Sequence, residues 1–209
     1  MTRILYLHGF ASSPSSTKAR YFRRLLEAAG ACVEVPDLAA GDFEHLTLTA
    51  QLAVLAQAAA GEPVALMGSS LGGYLAALYA ARHPEVSRLV LLAPAFAFAR
   101  RWRERLGADV VAQWRRSDTL QVFHYGDKLD HPLHYGLLPD SDRYEEFPDF
   151  HQPALIFHGA HDDAVPAGYS RRFAAQHPNA RLEILSSGHD LLDVLDYMAP
   201  KVIEFLTAV

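Results

Sequence analysis

The chain has 209 residues, of which 50% are hydrophobic and 21% charged, and its formal net charge is −5 at pH 7. This length and composition predict one domain, with or without an insertion, that folds without a metal ion or a disulfide. The single cysteine, Cys32, excludes an internal disulfide and fits a reducing compartment, where we expect it to be buried as a packing residue on the second strand. The 19 basic and 24 acidic residues give no polybasic surface, so we expect no nucleic-acid partner.

The first apolar run, residues 4–7, ends at a His-Gly pair. It is too short for the core of a signal peptide or for a membrane span. We therefore expect a cytoplasmic protein without a membrane span. The sequence gives no indication of an oligomeric state.

Short apolar runs alternate with longer amphipathic segments along the chain, which is the pattern of repeated strand and helix units. The runs that resemble strands are residues 4–7, 31–35, 64–67, 86–92, 154–157 and 180–185. The segments that resemble helices are residues 17–29, 46–60, 71–82, 167–176 and 190–206. Several strands are apolar on both faces, which is typical of a parallel sheet covered on both sides. The sequence thus predicts an α/β fold with a doubly wound, mostly parallel sheet.

Residues 94–153 break this alternation. They contain both tryptophans, Trp102 and Trp114, and then a section rich in His, Asp, Pro and Gly from 123 to 149 that resembles a loop. The segment follows a central strand and has no clear apolar strand of its own. We interpret it as a cap or lid insertion within a single domain of residues 1–209, and expect it to shape a substrate pocket.

The strongest local motif is G-x-S-x-G, at residues 68–72 between a buried strand and a helix. The turn in this motif requires small residues two positions before and two positions after the nucleophile. Gly68 and Gly72 satisfy this requirement for Ser70, whereas Ser69 has bulky residues at both positions. We therefore predict that Ser70 is a nucleophile at a helix N-terminus, where backbone N–H groups favour developing negative charge. An ordinary glycine-rich turn is the alternative.

A nucleophilic serine needs a base and an orienting carboxylate, which this architecture supplies later in the chain in the order Asp, His. Asp162 and Asp163 follow the strand at 154–157, and the residues alone leave the choice between them open. Of the 11 histidines, His189 alone follows the last strand and precedes the final helix. The aspartate and His189 would lie at the C-terminal ends of strands, on the same side of the sheet as Ser70.

An oxyanion hole requires two backbone donors aimed at the developing charge. The N–H of Leu71, directly after the nucleophile, is one predicted donor. The other is expected in the loop after the first strand, residues 7–13, where Phe10 is the candidate. The serines that follow in this region also fit a helix N-cap, and the two roles are compatible.

A catalytic metal is the competing hypothesis for the loop after residue 157. His158, His161, Asp162 and Asp163 are all metal-ligand residue types. Their placement between a strand and a loop leaves the geometry poorly defined, and no second cluster has comparable sequence spacing. The sequence therefore favours the triad over a metal site.

Together these stretches resemble the α/β-hydrolase superfamily, and more narrowly its small bacterial esterases of the YqiA/YcfP-like type. The matching residues are 6–10 with Ser12, Ser13, Pro14 and Lys18, then 68–74, His158 and Gly159 with Asp162, Val165 and Pro166, and finally Gly188 with His189. The resemblance implies a minimal hydrolase core, a triad of Ser70, Asp162 and His189, oxyanion donors Phe10 and Leu71, and no metal or organic cofactor. It thereby favours Asp162 over Asp163.

The function implied is that of a serine hydrolase that cleaves a small-molecule carboxylic ester or thioester through an acyl-enzyme. An amidase or a C–C bond hydrolase would use the same triad. A ligand-binding protein or receptor that keeps the scaffold without turnover is the alternative from another class.

Overall fold

A parallel sheet of six strands runs through the part of the chain that the computed structural model describes, residues 1–208. Its strands are β1 (Arg3–Leu7), β2 (Cys32–Glu34), β3 (Val64–Ser69), β4 (Val86–Leu92), β7 (Ala154–Gly159) and β8 (Ala180–Leu185). They lie in the order β2-β1-β3-β4-β7-β8, and every neighbouring pair is parallel. The sheet thus grows outward in both directions from the first strand, and the predicted doubly wound α/β fold is confirmed.

Helices cover both faces of this sheet. They are α1 (Thr17–Ala28), α2 (Leu48–Ala59), α3 (Leu71–Ala80), α7 (Gly168–Gln176) and α8 (Leu195–Thr207), the last preceded by a 3₁₀ turn at Leu192–Val194. The buried side chains of α2, α3 and α7 pack on one face of the sheet, and those of α1 and α8 pack on the other. Within residues 1–208 no helix combines the length and apolar character that a membrane crossing requires.

The strands are apolar on both faces because successive side chains point to opposite faces of the sheet and both faces are buried. In β1, Leu5 and Leu7 belong to the core on the side of α3, whereas Ile4 and Tyr6 belong to the core on the side of α1. All four side chains are completely buried. A strand buried on both faces in this way needs a helix layer on each side.

The segment between β4 and β7 contains regular structure. It forms α4 (Phe98–Leu106), α5 (Ala108–Ser117), an antiparallel hairpin of β5 (Thr119–His124) and β6 (Leu129–His134), and the short helix α6 (Leu137–Ser141). The interpretation of residues 123–149 as loop-like is therefore wrong for β6 and α6. The hairpin strands are half-exposed and mix polar side chains with Pro132, so they lack the apolar run that identifies a core strand.

Cys32 lies on β2 as expected, but its side chain is exposed. β2 is an edge strand, and of its three residues only Val33 is buried. Because successive side chains point to opposite faces, both neighbours of Val33 face outward. The prediction that Cys32 is a buried packing residue is therefore wrong.

The exposure of Cys32 predicts that the folded protein reacts with one equivalent of an aromatic disulfide reagent in the absence of denaturant. Cys32→Ser should give no reaction under the same conditions. The measurement is the release of the coloured thiolate with time. A thiol that reacts only after unfolding would contradict the exposed position.

Candidate active site

Ser70 occupies a strained turn between β3 and α3. Its backbone angles are φ 53° and ψ −117°, a region that residues with a side chain rarely adopt. The turn is fixed by the N–H of Ser70, which donates to Leu92 O at 2.8 Å, and by the carbonyl of Ser70, which accepts from Tyr74 N and Ala95 N at 3.1 and 3.0 Å. This conformation leaves the Ser70 side chain half-exposed at the start of α3.

Gly68 and Gly72 make this turn possible. A Cβ on Gly68 would clash with the carbonyl oxygen of Gly72. A Cβ on Gly72 would lie 2.5 Å from the carbonyl oxygen of His8 and would also clash with that of Leu7. The steric requirement that the motif predicted on either side of Ser70 is therefore present.

Three side chains from separate loops meet at the C-terminal ends of β3, β7 and β8. His189 Nε2 lies 3.0 Å from Ser70 Oγ, and His189 Nδ1 lies 2.7 Å from Asp162 Oδ2. Asp162 is buried, whereas Asp163 is exposed. The structure thus brings Ser70, His189 and Asp162 into one hydrogen-bonded chain.

The Asp162 carboxylate is held by several donors. Its Oδ1 accepts from Ala164 N at 2.9 Å and Val165 N at 2.7 Å, and its Oδ2 lies 3.1 Å from His158 Nε2. Burial alone would raise the pKa of this carboxyl, but the hydrogen bonds from His158, His189 and the Val165 N–H outweigh it and hold the pKa well below its usual range. The carboxylate is therefore ionised at neutral pH.

His158 is a site residue to which the sequence analysis assigned no role beyond that of a possible metal ligand and a match to the family motif. Its side chain is fully buried, with Nδ1 2.8 Å from Ser170 Oγ and Nε2 2.7 Å from Val165 O. The tautomer that satisfies these contacts carries its proton on Nε2, which faces both Val165 O and Asp162. The His-Gly pair at the end of β7, within the family motif, is the signal that could have identified it.

The competing metal cluster in this loop does not assemble. His158 and Asp162 are buried and hydrogen-bonded, whereas His161 and Asp163 are exposed. Within residues 1–208, no three of these four residues bring their potential ligand atoms to within 4.8 Å of one another. The geometry of the loop fits a carboxylate that orients His189.

The loop after β1 passes directly beside Ser70. A Cβ on Gly9 would lie 3.6 Å from Ser70 Cβ, which places the backbone of Phe10 next to the start of α3. Leu71 is the first residue of α3, so its N–H has no partner within the helix. Within residues 1–208, neither Phe10 N nor Leu71 N donates to another group of the chain. The backbone N–H groups of these two residues are thus free to donate to a bound group, which leaves the oxyanion role of Phe10 and Leu71 as a prediction.

The Phe10 side chain joins this loop to the 94–153 segment. Its ring centroid lies 4.9 Å from that of Trp102 in an edge-to-face arrangement, 5.7 Å from Phe43 and 6.2 Å from Phe98. Such pairs add to the stability gained from apolar burial. The aromatic contacts therefore fix the loop that carries one of the two predicted donors.

Lys18, at the start of α1, places a cation near the same site. Burial lowers the pKa of its ammonium group to about 8, and the carboxylates of Asp190 and Asp162 act in the opposite direction. The ammonium forms no ion pair with a carboxylate within residues 1–208. Sequence reasoning noted Lys18 only as a position that matches the family motif.

The lowered pKa of Lys18 predicts a pH-dependent effect on stability. Below about pH 8 the folded protein must hold a poorly solvated charge that the unfolded chain exposes to water. Lys18→Met should therefore raise the melting temperature at pH 7, and the difference from wild type should shrink as the pH rises from 8 towards 10. Thermal unfolding followed by circular dichroism at several pH values measures this. An advantage of Lys18→Met that grows above pH 8 would contradict the prediction, and Arg20→Met serves as the exposed control.

Solved structures with the same fold are numerous. A protein of Agrobacterium vitis S4 aligns with a TM-score of 0.84 at 21% identity, over 98% of this chain and 88% of that one. Est1E of Butyrivibrio proteoclasticus, solved with ferulic acid, aligns with a TM-score of 0.80 at 20% identity, over 98% and 88%. A monoacylglycerol lipase of Paleococcus ferrophilus aligns with a TM-score of 0.78 at 19% identity, over 98% and 93%.

Almost the whole chain matches the model of one protein family. Residues 3–207 match the model of the uncharacterised protein family UPF0227. The match includes every residue of the candidate site, from Phe10 to His189. The chain therefore belongs to family UPF0227 and has the α/β-hydrolase fold, as the resemblance of its motifs predicted.

Proposed function

We propose that this protein is a serine hydrolase that cleaves a carboxylic ester or thioester. The proposal rests on one observation, the chain of contacts from Ser70 Oγ to His189 Nε2 at 3.0 Å and from His189 Nδ1 to Asp162 Oδ2 at 2.7 Å. A serine hydroxyl becomes a strong nucleophile when an adjacent imidazole can take its proton. The similarity in fold to Est1E and to a monoacylglycerol lipase supports an ester as substrate.

Acylation starts at Ser70. Its Oγ forms a bond to the carbonyl carbon while His189 Nε2 takes the hydroxyl proton, and the carbonyl electron pair moves to the oxygen. The N–H groups of Phe10 and Leu71 donate to this oxyanion. Collapse of the tetrahedral intermediate breaks the bond to the alcohol or thiol, which leaves with the proton from His189. The acyl group remains on Ser70.

Deacylation repeats these steps with water as the nucleophile. His189 takes a proton from water as its oxygen attacks the acyl carbonyl, and the oxyanion is held by the same two N–H groups. Collapse releases the carboxylic acid and returns the proton from His189 to Ser70 Oγ. No cofactor enters this proton and electron balance.

Asp162 acts through His189 in this mechanism. Its Oδ2 accepts a hydrogen bond from the Nδ1–H of His189, so that Nε2 presents its lone pair to Ser70. The carboxylate also stabilises the imidazolium that forms in each half-reaction. His158 and the N–H groups of Ala164 and Val165 keep the carboxylate ionised and in place.

Ser70→Ala removes the proposed nucleophile and leaves the fold unchanged, because the side chain is half-exposed and alanine fits the turn. We expect kcat to fall by about 10⁴-fold or more. The measurement is hydrolysis of p-nitrophenyl esters and acyl thioesters of graded chain length, alongside thermal unfolding. Ser69→Ala, which changes the neighbouring serine, should retain most of the activity.

A reactive phosphonate ester separates an enzyme from a receptor on the same scaffold. Rapid covalent labelling of the wild type at Ser70, and none of Ser70→Ala, supports the hydrolase. A folded Ser70→Ala variant with wild-type turnover would refute the proposal. Saturable ligand binding by a protein that the phosphonate does not label would favour the receptor.

The two aspartates offer a matched comparison. Asp162→Asn should lower kcat by about 10⁴-fold, because the amide no longer holds His189 in the required tautomer. Asp163→Asn should leave kcat close to the wild-type value, since Asp163 is exposed. Steady-state kinetics on the best ester from the panel measures both, and a larger loss in Asp163→Asn would show that the carboxylate is misassigned.

A further inference from the structure

Two histidines and an aspartate converge at the end of the β5–β6 hairpin, outside the proposed catalytic site. His124 ends β5, His131 lies on β6, and Asp127 lies in the turn between the strands. In the antiparallel register His131 pairs with Val122, the residue two positions before His124. Because alternate residues of a strand share a face, His124 and His131 lie on the same face of the hairpin.

The distances between the potential ligand atoms fit a metal ion. His124 Nδ1 lies 3.2 Å from Asp127 Oδ1, and His131 Nε2 lies 2.7 Å from Asp127 Oδ2. All three ligand atoms lie within 4.8 Å of one another. Ligands at about 2.0 Å from a tetrahedral Zn²⁺ are about 3.3 Å apart, which is comparable with the separations of these atoms.

Both imidazoles of the cluster can present a lone pair to a metal ion. The two ring nitrogens that face the Asp127 carboxylate donate to it when the cluster is metal-free. A neutral imidazole can carry its proton on the opposite nitrogen, which frees the lone pair that faces Asp127. The side chains of His124 and His131 are 14% and 34% exposed, so an ion can reach them from solvent.

The surroundings of the cluster favour a cation. It borders a cleft of about 450 Å³ between the hairpin, the loop after β1 and the loop after β2. Three further carboxylates line this cleft, those of Asp37, Asp42 and Glu44. The Glu44 carboxylate forms no ion pair within residues 1–208. An ion on the hairpin would therefore lie in a region of negative charge.

We propose that His124, Asp127 and His131 bind a divalent transition-metal ion of the Zn²⁺ class. Two imidazoles and one carboxylate favour Zn²⁺ over Mg²⁺ or Ca²⁺, which prefer sites made only of oxygen ligands. Sequence spacing did not reveal this cluster, because pairing of the two strands brings His131 next to His124. The site shares no residue with the hydrogen-bonded chain of Ser70, His189 and Asp162, and it does not depend on the proposed hydrolase function.

The position of the cluster gives the ion a structural role. Tyr125 N, in the same turn, donates to Ala11 O at 2.7 Å. The ring of Phe43 contacts His124 at 5.0 Å between centroids and Phe10 at 5.7 Å. A bound ion would therefore fix the turn of the hairpin against the loop that carries Phe10.

Equilibrium dialysis of the full chain with Zn²⁺, after treatment with a chelator, tests the site directly. We expect one equivalent to bind, and the double variant His124→Gln with His131→Gln to lose at least about tenfold in affinity. His45→Gln is the matched control, since it removes an exposed His–Asp pair with a 3.0 Å contact to Asp42 but should leave binding unchanged. Co²⁺ in place of Zn²⁺ should give visible absorption from a low-symmetry site in the wild type and in His45→Gln, but not in the double variant.

Thermal unfolding supplies a second readout that a hydrogen-bonded cluster without an ion would not give. The melting temperature of the wild type should rise with Zn²⁺ concentration, while that of the double variant should not. Asp127→Asn, which keeps the size of the side chain, should weaken binding in the same direction. No saturable binding to the wild type, or equal binding to the double variant, would overturn the proposal.

Discussion

The close approach of helix α3 to the carbonyl ends of β1 and β3 is the constraint on which the candidate site depends. Gly68 and Gly72 have no room for a side chain, so the helix begins as near to the sheet as its backbone allows. This contact forces Ser70 to positive φ and directs its hydroxyl away from the core. It also brings the loop after β1 beside the first N–H groups of α3. One steric contact thus sets both the serine and its neighbouring backbone donors.

Burial and charge oppose each other at Asp162. A carboxylate removed from water is destabilised unless donors replace the lost hydration. Here His158, His189 and two backbone N–H groups replace it, and His158 is itself held by Ser170 and Val165 O. The loop after β7 is therefore a hydrogen-bonded network in which every buried side-chain N and O atom of these residues has a partner. Such a network gives His189 a fixed orientation that a surface aspartate could not provide.

The predictions of the fold that the structure confirms rest on local patterns. The six core strands and the order of their helices follow from apolar runs, and the tight turn at Ser70 follows from two glycines within five residues, so each signal is contained in a short stretch. His189 and Asp162 could be located because parallel strands end on one side of the sheet, which makes sequence order a guide to position. Their catalytic roles remain proposals.

The predictions that failed, and the features that were missed, depend on contacts between distant residues. Cys32 is exposed because β2 lies at the edge of the sheet, which its own sequence does not reveal. The β5–β6 hairpin was missed because its strands rely on each other and on the loop after β1 rather than on an apolar run. Phe10 also joins distant parts of the chain, since its ring packs on Trp102 and its backbone belongs to the loop beside Ser70.

In the proposed mechanism, a shift of the Phe10 ring against Trp102 would tilt the peptide that donates to the oxyanion. Such a shift would slow the chemical step more than it weakens substrate binding, so the packing of the 94–153 segment bears on turnover more than on affinity.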